Sequence, residues 1–158
     1  MRILIMRHGE AAPAHPSQGD AERRLTESGR RECGAIARAL RGRDLIPTHV
    51  YASPFARALE TAEVVRAALG LDGPLAPLAP LVPGGPSGPA LAVLDEHADE
   101  HHVLFVSHEP TVRTLGRALG VELPPFPTAG LAVFDGARAF LGRLDPRLGW
   151  REPTDLGY

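Results

Sequence analysis

"RILIMRHGE", residues 2–10, is the stretch on which the fold turns. Ile3 to Met6 are four consecutive apolar residues with no polar position between them. Such a run reads as a strand buried on both faces, as in a mainly parallel sheet. The strand does not end in turn residues. It delivers Arg7, His8, Gly9 and Glu10 to its carboxyl end. In open α/β sheets, ligands sit beyond the carboxyl ends of the strands, so a cation, an imidazole and a carboxylate are set where a ligand would be met.

Working outward, residues 11–24 are small, polar and Pro-containing and read as a loop. Thr26 is a good N-cap for a helix whose apolar positions Cys33, Ile36, Ala37 and Leu40 follow helical spacing. "THVYASP" (48–54) reads as a second strand, with Ser53 capping the next helix and Pro54 at its first position. Ala58, Ala62, Val65 and Leu69 form that helix's buried stripe, and Gly70 ends it. Residues 70–89, dense in Pro and Gly, read as an ordered surface loop or lid. A helix from about Ser87 to Ala98 follows, then a third buried strand, "HVLFVSH" (102–108), and a helix over 109–120 ended by Gly120. "GLAVFDG" and "RAFLGRL" suggest a hairpin joined at Asp135–Gly136, and the last dozen residues carry little pattern. The alternation predicts a single domain over 1–158, a three-layer α/β/α sandwich with a mainly parallel sheet and right-handed crossovers.

Composition narrows the function classes. The chain is 44% hydrophobic and 23% charged, which is ordinary for a folded soluble protein. A net charge of −2 gives no basic field for nucleic acid. All 17 basic side chains are Arg, with no Lys, so the number of arginines is no sign of anion binding and only their placement is. Cys33 is the sole cysteine, which excludes an internal disulfide. The four apolar residues before Arg7 are too few for a signal-peptide core, and no run reaches membrane-spanning length, so a cytoplasmic protein without membrane contact is expected.

Placement is where the chemistry lies. The first strand ends in Arg7–His8–Gly9–Glu10, the second in Ser53–Pro54 with Arg57 just beyond, the third in Ser107–His108–Glu109–Pro110. If the strands are parallel neighbours, two histidines and two arginines meet in one crevice. Arg offers a planar fork of donors that matches phosphate oxygens. Helix N-termini near Pro54 and Glu109 would add unpaired N–H groups. The expected site is an anion pocket with an imidazole in it.

"RHGE", "SPFARALETA", "SHEP" and the helix-capping "LTESG" at 25–29, in this order, resemble the histidine phosphatase superfamily, the phosphoglycerate mutase-like proteins. The resemblance spans residue 2 to about 120, and the short chain is similar to the SixA-type phosphohistidine phosphatases. It implies that His8 is a nucleophile that takes the phosphoryl group, forming a phosphohistidine intermediate. It implies that Arg7, Arg57 and His108, as a protonated imidazole, hold the non-bridging oxygens, with Gly9 allowing close backbone approach. No metal and no cofactor are expected. The expected partner is a phosphorylated substrate, with a histidine-phosphorylated signalling protein as the candidate.

One feature departs from the mutase-like pattern. Residues 73–94, where that branch carries its acid, contain no Asp or Glu. Glu109 matches the acid of the acid-phosphatase branch, with capping of the following helix as its structural alternative; Glu10 is a second candidate. A missing acid suits a leaving group that departs easily, such as protonated phosphohistidine, better than an alkyl phosphate, for which acid catalysis is worth roughly 10²–10⁴-fold. The alternatives are a broad small-molecule phosphomonoesterase or mutase-like enzyme, and a non-catalytic phosphate-binding module, which both histidines argue against. Arg23 or Arg24 would screen the pocket or be solvated. His97 and His101, at i and i+4, read as a solvated helix terminus rather than a metal site, and His15 and His49 as surface residues.

Overall fold

Alternation along β1 (Arg2–Arg7) sends Leu4 and Met6 to one face of a sheet and Ile3 and Ile5 to the other, and both faces are covered. This accounts for the unbroken apolar run. All four side chains are at most 2% exposed, and each stabilises the fold by about 1.5–3 kcal/mol. The computed structural model describes residues 1–136 and 139–158. Further elements in chain order are α1 (Glu27–Gly42), β2 (His49–Ala52), α2 (Ala56–Leu69), β3 (Leu75–Pro77), α3 (Ser87–Ala92), β4 (His102–Ser107), α4 (Thr111–Ala118), β5 (Leu131–Asp135), β6 (Ala139–Asp145) and β7 (Gly149–Arg151).

The strands form a seven-stranded sheet in the order β3-β2-β4-β1-β5-β6-β7. β3, β2, β4 and β1 run parallel, and β5, β6 and β7 continue antiparallel. Helices α1 and α2 cover one face through Cys33, Ile36, Leu40, Ala62 and Val65. Ala90 of α3 with Val112 and Leu115 of α4 cover the other. The expected α/β sandwich is observed, with β4 between β1 and β2. That order brings the three polar strand ends side by side.

Several boundaries differ from expectation. Thr26 caps α1, its Oγ1 accepting from Gly29 N–H at 2.9 Å, as expected. Ser53 does not cap α2. Its Oγ accepts from Phe55 N–H at 3.2 Å in a turn that precedes the helix, which starts at Ala56. The Pro/Gly-rich 70–89 segment is not a lid: β3 pairs with Val50–Ala52 at the sheet edge, and Leu81 is wholly buried. A three-residue strand ending in Pro77 is too short to show a period. The helix expected to reach Ala98 stops at Ala92 and tightens into a 3-10 turn over Val93–Glu96. Helix α4 starts at Thr111, so Glu109 precedes it rather than lying in its first turn. The hairpin of β5 and β6 is present, but Asp135 is still paired, with Ala139; Ala137 and Arg138 lie outside the described residues. The terminal residues, without pattern in the sequence, supply β7, paired with β6.

Candidate active site

At the carboxyl edge of β1, β4 and β2, backbone pairing fixes where each functional residue begins. His8 N–H donates to Ser107 O at 3.0 Å, and Ser53 N–H donates to Val106 O at 2.9 Å. His8, Arg57 and His108 are consequently drawn together and buried, at 7%, 5% and 2% exposure. The rings of His8 and His108 meet edge-on with centroids 5.1 Å apart.

The hydrogen bonds assign the tautomer of His8. Its Nδ1 lies 2.7 Å from Gly9 O, and a carbonyl only accepts, so Nδ1 carries the proton. Nε2 then bears a lone pair, and Arg57 Nε–H donates to it at 3.3 Å. Burial, with Arg57, Arg7 and Arg23 adding repulsion, drops the His8 pKa to about 4, although its bond to Gly9 opposes the fall. His108 falls to about 3 through burial, then repulsion from His8 and Arg57. Both rings are therefore neutral near pH 7.

Two polar atoms in this crevice are buried without a partner, Arg7 Nε and His108 Nδ1. The opposite nitrogen of His108, Nε2, is 2.8 Å from Ser53 Oγ, and Arg7 Nη1 donates to Phe126 O at 2.8 Å. Buried polar groups are almost always satisfied, so a pair of orphans facing one crevice marks the place of an absent polar ligand. Two guanidinium groups beside them make that ligand an anion.

Comparisons with known proteins agree with this geometry. Residues 3–77 match the model of the histidine phosphatase superfamily (branch 1). The phosphohistidine phosphatase SixA of Escherichia coli K12 is 37% identical over 136 residues, covering 84% of this chain and 83% of that protein. The chain belongs to the histidine phosphatase superfamily. Among solved structures, the protein histidine phosphatase SixA complexed with tungstate superposes with a TM-score of 0.83 at 33% identity, over 92% of this chain and 97% of that one. A SixA-designated structure from Agrobacterium tumefaciens gives 0.80 at 30% identity, over 92% and 97%.

For a histidine phosphatase, the site holds residues that the sequence did not announce. Asp20, in a 3-10 turn of the 11–24 loop, accepts from Arg57 twice: its backbone O from Nη1 at 2.7 Å and its Oδ2 from Nη2 at 3.1 Å. Its Oδ1 accepts from Arg23 Nη1 at 3.0 Å. The Arg23 bond, then Arg57, holds the Asp20 carboxyl below its ordinary value despite some desolvation. Arg23 thus joins the pocket wall, while Arg24 turns out toward Glu60, 3.8 Å away. Phe55 touches both sides of the crevice, with the Arg57 guanidinium 5.2 Å from its ring centre and the His108 ring edge-on at 5.2 Å. Thr61 accepts from Gly9 N–H at 3.0 Å and donates to Arg57 O at 2.7 Å, which ties the two motifs together. No periodicity marks Asp20 or Phe126; Phe55 and Thr61 lay within the quoted "SPFARALETA".

Gly9 and the two candidate acids also make contacts within the fold. A Cβ at Gly9 would lie 2.8 Å from Cys33 Sγ and 2.8 Å from Gly29 O, so the glycine admits helix α1. The Cys33 thiol, pushed up to about 11 mainly by burial, is packing and not a nucleophile. Glu10 Oε1 accepts from Thr26 Oγ1 at 2.8 Å, at the start of α1. Glu109 is engaged through both oxygens: Oε1 accepts from Arg113 Nε, and Oε2 from Phe126 N–H at 3.1 Å. Because Phe126 O in turn accepts from Arg7, Glu109 braces the peptide that positions Arg7.

Proposed function

We propose that the chain is a phosphohistidine phosphatase acting on a protein-borne phosphohistidine, with His8 as nucleophile. The observation that carries this is the His8 tautomer: proton on Nδ1 against Gly9 O, lone pair on Nε2 at the Arg57 guanidinium. The SixA relatives support the substrate class.

In the first step the His8 Nε2 lone pair forms a bond to phosphorus as the P–N bond of the substrate breaks. The bonding pair leaves on the substrate imidazole, which departs neutral if that ring was protonated. Arg57 swings its Nε–H from Nε2 to a phosphoryl oxygen, and Arg7 Nε–H meets another. If Ser53 Oγ–H donates to His108 Nε2, then His108 Nδ1 carries a proton and serves as a third donor. These donors stabilise the charge spread over the equatorial oxygens. In the second step water attacks the phosphorylated His8, releasing inorganic phosphate and restoring the lone pair.

The acid question points the same way. Glu10 and Glu109 accept hydrogen bonds elsewhere, and Asp20 is held as a carboxylate between two arginines. Among the described residues no other carboxyl stands free beside His8, so the site suits a leaving group that needs no acid, which phosphohistidine provides and an alkyl alcohol does not. A groove of about 410 Å³ lined by Gln18, Ala21, Glu22, Pro54, Ala56 and Leu59 flanks Asp20 and Arg57 and gives a protein surface room to approach.

The test compares hydrolysis of a phosphohistidine-bearing protein domain with that of an alkyl and an aryl phosphate, using the wild type, His8→Ala and Arg57→Ala. Preference for the phosphohistidine, abolished by His8→Ala and lowered about 10²–10³-fold by Arg57→Ala, is expected. Faster cleavage of the alkyl phosphate would move the function to small-molecule phosphomonoester hydrolysis. Normal turnover by a folded His8→Ala chain would remove the mechanism.

A further inference from the structure

The parallel sheet has a second edge, at the amino ends of its strands, and three histidines converge there. His49 opens β2, His101 lies just before β4, and His97 closes the 3-10 turn at Val93–Glu96. The sequence separates His49 from the other two by nearly fifty positions. Pairing of His49 with Val103 in the β2–β4 register brings them together. Ring centroids of His49 lie 4.3 Å from His97 and 4.5 Å from His101, and one nitrogen from each ring falls within 4.8 Å of the others. The helix terminus expected around His97 and His101 is instead one wall of a three-imidazole cluster.

Second contacts of the rings leave nitrogens suited to a ligand role. Thr48 Oγ1–H donates to His102 O at 3.1 Å, so its oxygen accepts both His102 N–H at 3.0 Å and His49 Nδ1–H at 2.9 Å. With the Thr48 hydroxyl proton on His102 O, His49 carries its own proton on Nδ1 and its Nε2 is a lone pair. Tyr51 Oη sits 2.7 Å from His97 Nε2, the outer hydrogen bond that fixes a ligating ring, and leaves Nδ1 facing the cluster. His97 Nδ1 and His101 Nδ1 are 3.2 Å apart. Two nitrogens on one tetrahedral zinc, at about 2.0–2.1 Å each, stand roughly 3.3 Å from one another. Only a long 3.3 Å contact from Ala98 N–H to His101 Nδ1 competes with a ligand there.

We propose that His49, His97 and His101 form a binding site for a divalent transition-metal ion of borderline softness, zinc or nickel. Three imidazoles select such ions over magnesium or calcium, and the fourth position is open to Glu96 or water. The ion would bridge the start of β2 to the turn that feeds β4. It lies at the opposite end of β4 from His8 and His108, about 20 Å away along a six-residue strand. The site is thus separate from the phosphoryl chemistry and does not depend on it.

The test uses the untagged full chain, stripped with a chelator and titrated with Zn²⁺ by calorimetry, with Co²⁺ as an optical probe of coordination. One ion per chain is expected, with tetrahedral Co²⁺ bands and a raised Tm. His97→Ala/His101→Ala should weaken binding more than 100-fold. Tyr51→Phe should weaken it about tenfold by freeing the His97 ring. His8→Ala/His108→Ala should leave it unchanged. The proposal is overturned if the wild type takes up no ion at micromolar Zn²⁺. It is also overturned if the ion binds undiminished to the His97→Ala/His101→Ala chain; loss from the His8→Ala/His108→Ala chain would then place it in the phosphate crevice. A wild-type chain that takes up no ion overturns the proposal by itself, and Tyr51→Phe, which keeps all three ligands, tests the position of the ion if the double variant does not fold.

Discussion

Replacing His8 by Gln should remove a defined part of the chain's acid sensitivity. In the unfolded chain the imidazole binds a proton below its ordinary value of 6.5, whereas in the folded chain it does so only below about 4. Between those values the unfolded state holds more protons, so folding stability falls as pH falls and levels off below about 4. The interval from 6.5 to about 4, at 1.36 kcal/mol per unit, corresponds to about 3 kcal/mol from this one buried ring. His108 acts in the same direction, and because its ring touches His8 the two contributions are not additive. The assay is urea unfolding of wild type and His8→Gln at pH 7 and pH 4. The wild type should lose about 3 kcal/mol more than the variant between these conditions, and easier titration of His108 in the variant would widen that difference. An equal loss in both chains would refute the claim that the folded protein holds His8 as a neutral ring. Saturating tungstate or phosphate should shrink the difference, since an anion against the crevice favours the protonated imidazole.

Other consequences are open to measurement. Glu109→Gln should lower turnover less than tenfold and equally for aryl and alkyl phosphates, as for a brace; a loss of 10²–10⁴-fold confined to the alkyl substrate would make Glu109 a general acid. Asp20→Asn keeps the shape of the Arg57 contact while removing a like charge from the anion's path, so the inhibition constant of inorganic phosphate should fall about fivefold, the ~1 kcal/mol of one partly exposed charge. Gly9→Ala should lower unfolding stability by about 1–3 kcal/mol, because Gly29 O is backbone and cannot step aside as Cys33 Sγ can; an unchanged Tm would show that α1 is not held at that distance.

Much of this molecule is legible before folding, and the reasons are local. The apolar run Ile3–Met6, the Thr26 cap, the stripe of α1 and Gly70, at φ 65°, each follow from sterics or hydrogen bonding within a few residues. β3, β7 and the true start of α2 were not legible, since strands of three residues show no period and Ser53 spends its acceptor on a turn. Arg7, His8, Arg57 and His108 stood out because polar residues at the ends of greasy strands are costly without a ligand.

The sequence by itself determined which chemical groups leave the core and at which end of each strand, because burial and strand polarity are properties of short segments. Only the tertiary structure decided their neighbours and hence their states. Placing β4 between β1 and β2 set His8 against Arg57 and His108, and burial beside like charges made both imidazoles neutral. The same strand order swung Asp20 onto Arg57, tied Glu109 to Phe126, and gathered His49 with His97 and His101 at the opposite edge. Proton affinity and ligand geometry depend on atoms a few ångströms away in space, and those atoms come from positions far apart in the chain.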